Sequence, residues 1–123
     1  MSKLEDGPLY IETRRGEGGT IVCEWRGQST ARRPADTLLP FAAEVFGDAG
    51  QGGSVEMSFT ELDYFNSSTV AALIKIIKAA RNAGVRLVLT YNAGSPTHAN
   101  SFESLRIFEK EDGLIELRPV EAK

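Results

Sequence analysis

Four consecutive polar residues, Asn66, Ser67, Ser68 and Thr69, have the types and spacing best suited to chemistry in this chain. They stand at the predicted start of a helix, where backbone N–H groups lack partners and the helix dipole is positive. A phosphate on one of these hydroxyls would add about −1.5 to −2 charges at a helix end that tolerates negative charge. On spacing alone, a plain helix start capped by Asn66 and worth about 1 kcal/mol is the favoured interpretation.

The residues around this cluster predict a strand–helix–strand unit over residues 54–91. Apolar and polar residues alternate over residues 54–59, the period of a strand with one buried face. Helical spacing then relates the apolar residues Val70, Leu73, Ile74, Ile77 and Ala80. Gly84 stands where this helix of about 16 residues would end, and residues 85–91 form a near-continuous apolar strand. The unit predicts two parallel strands with the polar cluster at the start of their connecting helix.

Composition limits the classes of protein to which the chain could belong. A length of 123 residues with 41% hydrophobic and 25% charged residues predicts one globular domain. A net charge of −3 disfavours a general binder of nucleic acid or anionic membranes. The sequence has no apolar run long enough for a membrane span and no signal-peptide pattern, so we expect a cytoplasmic protein. One cysteine and one histidine offer little for a metal site or for catalysis, and we predict none.

The N-terminal half predicts a tail, a hairpin and a helix. Residues 1–8 are predicted to be a flexible tail, and residues 9–14 and 20–26 to be two antiparallel strands around a glycine-rich turn. Residues 27–34 are predicted to form an exposed loop. Asp36 is the predicted cap of a first helix, with Pro40 in or beside its first turn and Gly47 at its end.

The C-terminal part predicts one more helix and one more strand. The helix begins either at Ser95 with Pro96 in its first turn, or at Asn100 with Glu103 as a capping box. A last strand is predicted over residues 114–118, ended by Pro119 and followed by a tail over residues 119–123. The fold class is therefore α/β, in the order β-β-α-β-α-β-α-β, with a mixed sheet and helices mainly on one face.

Three stretches of this sequence resemble STAS domains, the anti-sigma factor antagonists. These stretches are residues 59–73 (FTELDYFNSSTVAAL), residues 84–89 (GVRLVL) and Ser95-Pro96. The turn over residues 65–68 is also similar to that of the SiaC family, STAS-like regulatory phosphoproteins that activate a diguanylate cyclase when unphosphorylated. By element order the resemblance covers residues 9–118. The chain differs from the antagonists in having Asn66 in place of an aspartate and Thr69 in place of a glycine.

The resemblance implies a bacterial, non-enzymatic module that switches protein partners according to its phosphorylation state. Ser67 aligns with the phosphorylated serine of the family, and Ser68 and Thr69 rank second as acceptors. The implied partners are a serine kinase of the anti-sigma factor type, a phosphatase, and an effector, either a sigma-factor inhibitor or a diguanylate cyclase. The kinase would supply the ATP, so the chain is expected to need no cofactor of its own.

The predicted partner-binding residues are Asn66, Ser67, Ser68, Thr69, Lys75 and Lys78. The lysines, with Arg32 and Arg33, are either solvated surface or the contact for an acidic partner. Cys23 is interpreted as a core residue and His98 as a surface residue.

Two alternatives from other classes remain. A constitutive STAS-like subunit of a lipid or anion transport complex would use the same helix face without a switch. An enzyme is the more remote alternative, because no nucleophile and base stand at a usable spacing.

Overall fold

The alternating and helical patterns of the sequence are both present in the computed structural model, which describes residues 3–121. The strands are β1 (Lys3–Asp6), β2 (Leu9–Arg15), β3 (Ile21–Ser29), β4 (Ser54–Phe65), β5 (Arg86–Asn92) and β6 (Ile115–Val120). The α-helices are α1 (Ala35–Ala49), α2 (Ser67–Ala83) and α3 (Pro96–Glu103). Short 3-10 turns occupy Glu17–Gly19 and Ser104–Phe108.

The six strands of the described chain form one mixed sheet in the order β1-β2-β3-β4-β5-β6. The first three strands pair antiparallel, whereas β3 to β6 pair parallel. Each parallel neighbour is reached through a helix, and the right-handed rule for such connections places α1, α2 and α3 on the same face. The predicted α/β class, with a mixed sheet and helices on one face, is confirmed.

The core lies between this face of the sheet and the helices. Alternate residues of the central strands are buried there, including Val55, Met57, Phe59, Leu87 and Leu89. Residues of α2 meet them from the helix layer; these are Thr69, Ala72, Leu73, Ile76, Ile77 and Ala80. Cys23 is fully buried in the same layer, and burial raises the pKa of its thiol to about 12, which confirms a core role.

The opposite face of the sheet carries charged side chains that pair with one another. Arg118 Nε lies 2.9 Å from Glu116, which also pairs with Arg86, and Arg14 Nε lies 3.1 Å from Glu24. Such pairs on an accessible face contribute little stability individually.

Both predicted tails are partly wrong. Residues 3–6 form the edge strand β1, in which Leu4 pairs with Ile11 and packs against the core. At the other end, β6 continues through Pro119 to Val120, and an edge strand accepts a proline because one side of its backbone needs no ladder partner. Residues 1–2 and 122–123 lie outside the described residues.

The bounds of α1 also differ from the prediction. The helix runs through Gly47 to Ala49 and ends at Gly50, whose φ of 76° is left-handed. Pro34 rather than Asp36 occupies the N-cap, and Pro40 lies inside the helix. Ala49, beyond Gly47 in the last turn, packs against the core, and this contact helps to offset the cost of about 1 kcal/mol for a glycine inside the helix.

The predicted loop over residues 27–34 is shorter than expected because β3 extends to Ser29. Gly27 has a φ of 86°, and a Cβ there would lie 2.1 Å from the carbonyl oxygen of Pro8, so only glycine fits this contact between β3 and the residue that precedes β2. The extension brings Ser29 opposite Phe65, at the point where β4 leads into α2.

Candidate functional site

Asn66 caps α2, as the sequence predicted. Its backbone is extended, and its Oδ1 accepts hydrogen bonds from the Thr69 backbone N–H at 2.9 Å and from the Thr69 hydroxyl at 2.8 Å. At the far end of the helix, Gly84 adopts the left-handed conformation (φ 69°) that the sequence also predicted. The first turn of α2 therefore has a defined geometry before any partner binds.

The cap is also tied to the end of β3 and the loop that follows it. The Asn66 N–H donates to the Ser29 carbonyl at 3.1 Å, and its Nδ2 donates to the Ala31 carbonyl at 3.0 Å. The hydroxyls of Ser29 and Thr69 form a buried hydrogen bond of 2.6 Å. Sequence reasoning missed Ser29 and Ala31, because only the parallel register of β3 and β4 brings them to the turn.

The three hydroxyls of the cluster have different environments. Ser67 is exposed at the first position of α2, whereas Ser68 is half-buried. Thr69 is fully buried, and its hydroxyl is bonded to Asn66 and Ser29. The structure does not support the prediction of Thr69 as an acceptor or contact residue, because neither a kinase nor a partner can reach its hydroxyl in the folded chain.

A pocket of about 250 Å³ opens beside Ser68, between α2 and the start of α1. Its lining combines basic, small apolar and polar residues: Arg32, Arg33, Pro34, Ala35, Asp36, Ser68, Ala71, Ala72 and Lys75. The loop over residues 30–34 supplies the two arginines, and α2 supplies the lysine. Lys78 is exposed on α2 but does not line this pocket, so the structure separates the two predicted lysines.

His98 lies behind the turn and is buried, so its interpretation as a surface residue is wrong. Its Nε2 lies 2.8 Å from the Leu62 carbonyl oxygen, and its ring meets that of Phe65 edge-on at 5.1 Å. Burial lowers the pKa of His98, while the Leu62 carbonyl and the nearby Asp63 act in the opposite direction. The helix start of α3 at Ser95 places His98 here, since Ser95 Oγ accepts from the His98 N–H.

The end of β4 exposes an aromatic side chain that is close to Ser67 in the sequence. Tyr64 is 50% exposed, three residues before Ser67, and sequence reasoning did not single it out. Glu61 and Asp63 are exposed on the same strand end.

Within residues 3–121, no group of histidine, cysteine and carboxylate side chains is arranged to hold a metal ion. None of the helices in that range has the length and apolar character that a membrane crossing requires.

The strand order and the helix layer are those of a SpoIIAA-like fold. The anti-sigma factor antagonist SpoIIAA, solved in its unphosphorylated form, is similar with a TM-score of 0.58 and 13% identity over 92% of this chain and 89% of that chain.

An uncharacterized protein of the DUF3478 family from Shewanella loihica, described as having a SpoIIAA-like fold, is also similar. Its TM-score is 0.60 at 13% identity over 100% of this chain and 93% of that chain. No protein-family model matches the sequence, and no curated protein matches it. At 13% identity these likenesses establish the fold alone.

Proposed function

We propose that the chain is a non-enzymatic regulatory domain whose binding to protein partners is controlled by phosphorylation of Ser67. The observation that carries this proposal is the position of Ser67, exposed at the start of a capped helix in a SpoIIAA-like fold. SpoIIAA itself is an anti-sigma factor antagonist described in an unphosphorylated form, and the same kind of control is proposed here.

A phosphate on Ser67 would act on the partner rather than on the fold. At the N-terminus of α2 the added charge meets a positive helix dipole, so the helix tolerates it. The buried part of the turn, held by Asn66 and Thr69, is not disturbed by a group on the exposed hydroxyl. A docked partner would face the full negative charge and its desolvation, and like charges across an interface cost several kcal/mol.

The proposed partners are a serine kinase of the anti-sigma factor type, a phosphatase that reverses its action, and an effector. The effector is a sigma-factor inhibitor or a diguanylate cyclase, and all of these meet the chain in the cytoplasm. Ser68 is the second candidate acceptor. Tyr64, exposed three residues before Ser67 in the sequence, is a further candidate contact, because exposed aromatic side chains often dominate interface energetics.

Affinity capture from the source cell tests the proposal. The baits are the wild-type chain, Ser67→Ala, Ser67→Asp and, as a matched control, Asn82→Asp, which adds the same charge at an exposed position near the other end of α2. We expect Ser67→Ala and Asn82→Asp to retain the effector and Ser67→Asp to lose it. Identical partners on all four baits would contradict the switch and favour the constitutive transport-complex subunit.

A further inference from the structure

The pocket beside Ser68 concentrates positive charge on a chain whose net charge is −3. Three basic side chains line it, those of Arg32, Arg33 and Lys75, against the single carboxylate of Asp36. We propose that this pocket receives a carboxylate side chain from an acidic segment of the protein partner. The inference rests on the proposed function and names the chemistry of the partner that the Ser67 surface recognises.

Two of the three basic side chains of the pocket, those of Arg32 and Lys75, are not neutralised by a carboxylate within the described chain. Arg32 and Lys75 form no ion pair with any residue in the range 3–121, whereas the arginines of the open sheet face are paired with glutamates. Arg33 Nε lies 3.4 Å from Asp36, so one carboxylate already binds at the edge of this pocket. A second, from outside, would be met by Arg32 and Lys75.

The arginine-bearing loop is held close to the switch residue. Asn66 Nδ2 donates to the Ala31 carbonyl, which fixes the residue immediately before Arg32 against the start of α2. Ser68 lines the same pocket, and its hydroxyl is a neutral group able to donate a hydrogen bond. Donors from two elements therefore converge on one opening, and their relative placement is set by the cap of the helix that carries Ser67.

The lining favours a carboxylate over a nucleotide. Its apolar walls are Pro34, Ala35, Ala71 and Ala72, and no aromatic ring lines it for a base to stack on. The sequence around the pocket also contains no glycine-rich loop of the kind that binds phosphate groups. A volume of about 250 Å³ that opens to solvent suits the end of a glutamate or aspartate side chain and its backbone approach.

The pocket also explains the direction of the proposed switch. When Ser67 is unmodified, the acidic segment of the partner meets an excess of positive charge, because three basic side chains face the one carboxylate of Asp36. A phosphate on Ser67 would lie next to the pocket, repel that segment and offer the arginines a competing anion. The affinity for an acidic ligand should therefore fall when residue 67 becomes negative.

A capped hexaglutamate peptide is the probe for this site, titrated into the full chain at low ionic strength and followed by amide chemical shifts. We expect the largest shifts at Ser68 and Ala71, and about fivefold weaker binding for Arg32→Gln/Lys75→Gln. Lys78→Gln/Lys110→Gln is the matched control, because it also removes two exposed positive charges but lies outside the pocket, and it should change affinity less than about twofold.

Three results would overturn the proposal: no peptide binding, equal weakening by the control, or binding of inorganic phosphate or ATP at this site in place of the peptide. None of these bears on Ser67 itself, so the capture experiment would still test the switch. Conversely, pocket-specific peptide binding would support an acidic partner even if Ser67→Asp retained every captured protein.

Discussion

The hydroxyl of Thr69 lies 2.6 Å from the hydroxyl of Ser29, in a buried hydrogen bond that joins the first turn of α2 to the end of β3. The Thr69 hydroxyl also lies 2.8 Å from Asn66 Oδ1 and 3.3 Å from the Ser29 carbonyl oxygen. Because both of these oxygens can only accept, the Thr69 hydrogen is directed to them and the Ser29 hydroxyl is the donor to Thr69. Buried groups thus hold the turn on its core side, while Ser67 on its solvent side remains exposed.

A double-mutant cycle on this pair should show strong coupling. Thr69→Val leaves the Ser29 hydroxyl buried without its acceptor, and we expect the free energy of unfolding to fall by about 1–3 kcal/mol. In a Ser29→Ala background the same change should cost about 1 kcal/mol less, because no hydroxyl of residue 29 is then left unpaired. Urea unfolding of the four proteins measures the coupling, and strictly additive losses would show that the hydrogen bond contributes nothing.

Aspartate at position 66, the residue of sigma-factor antagonists, should be less stable here than asparagine. It keeps the capping oxygen, but it replaces the Nδ2 donor that faces the Ala31 carbonyl with an acceptor. We expect Asn66→Asp to lower the free energy of unfolding by about 1 kcal/mol at neutral pH, and Asn66→Ala, which removes the capping oxygen as well as the Nδ2 donor, by about 2 kcal/mol. Urea midpoints provide the test, and an Asn66→Asp protein as stable as wild type would refute the role of the amide.

Negative charge should have opposite consequences at positions 67 and 69. Ser67→Asp adds an exposed carboxylate to the first turn of α2, so stability should be unchanged or higher by about 0.3–1 kcal/mol. Thr69→Asp buries a charge at a fully buried position, and a loss of about 3 kcal/mol or more is expected. Thermal unfolding with circular dichroism compares the two, and equal destabilisation would contradict the difference in exposure.

His98 should make stability depend on pH. Because burial lowers its pKa in the folded chain, protons bind more readily to the unfolded chain. Its contribution is therefore fully present above the unfolded pKa of about 6.5 and is lost as the pH falls through the folded pKa. As the pH is lowered from about 8 to about 5, the free energy of unfolding should fall less steeply in His98→Gln than in wild type. If the free energy of unfolding changed with pH in the same way in both proteins, the pH dependence would come from groups other than His98.

The strand–helix–strand unit, the Asn66 cap and Gly84 were predictable because their signals are local. Apolar spacing and single-residue backbone preferences determine those features without reference to the rest of the chain. Within α2 the predicted apolar stripe missed the buried residues Thr69, Ala72 and Ile76 and included Val70 and Ile74, which are only partly buried. The helix packs against α1 as well as against the sheet, and this second contact is not visible in the local sequence.

The features that sequence reasoning missed all depend on contacts between distant residues. The β1 strand has only one apolar residue, Leu4, so its sequence shows no alternation of apolar and polar residues that would predict its pairing with β2. Ser29 and His98 are polar residues whose partners are 40 and 36 positions away, and nothing in their neighbourhood marks them as buried. The cationic pocket likewise forms only when the loop after β3 meets α2.

The proposed switch requires the modification of Ser67, and residue-resolved mass spectrometry of the chain isolated from its own cell measures that modification directly. We predict a phosphate on Ser67 in part of the population, none on Thr69, and its loss when the captured kinase is removed. A chain phosphorylated elsewhere, or unmodified at Ser67 while that kinase is active, would contradict the proposed switch.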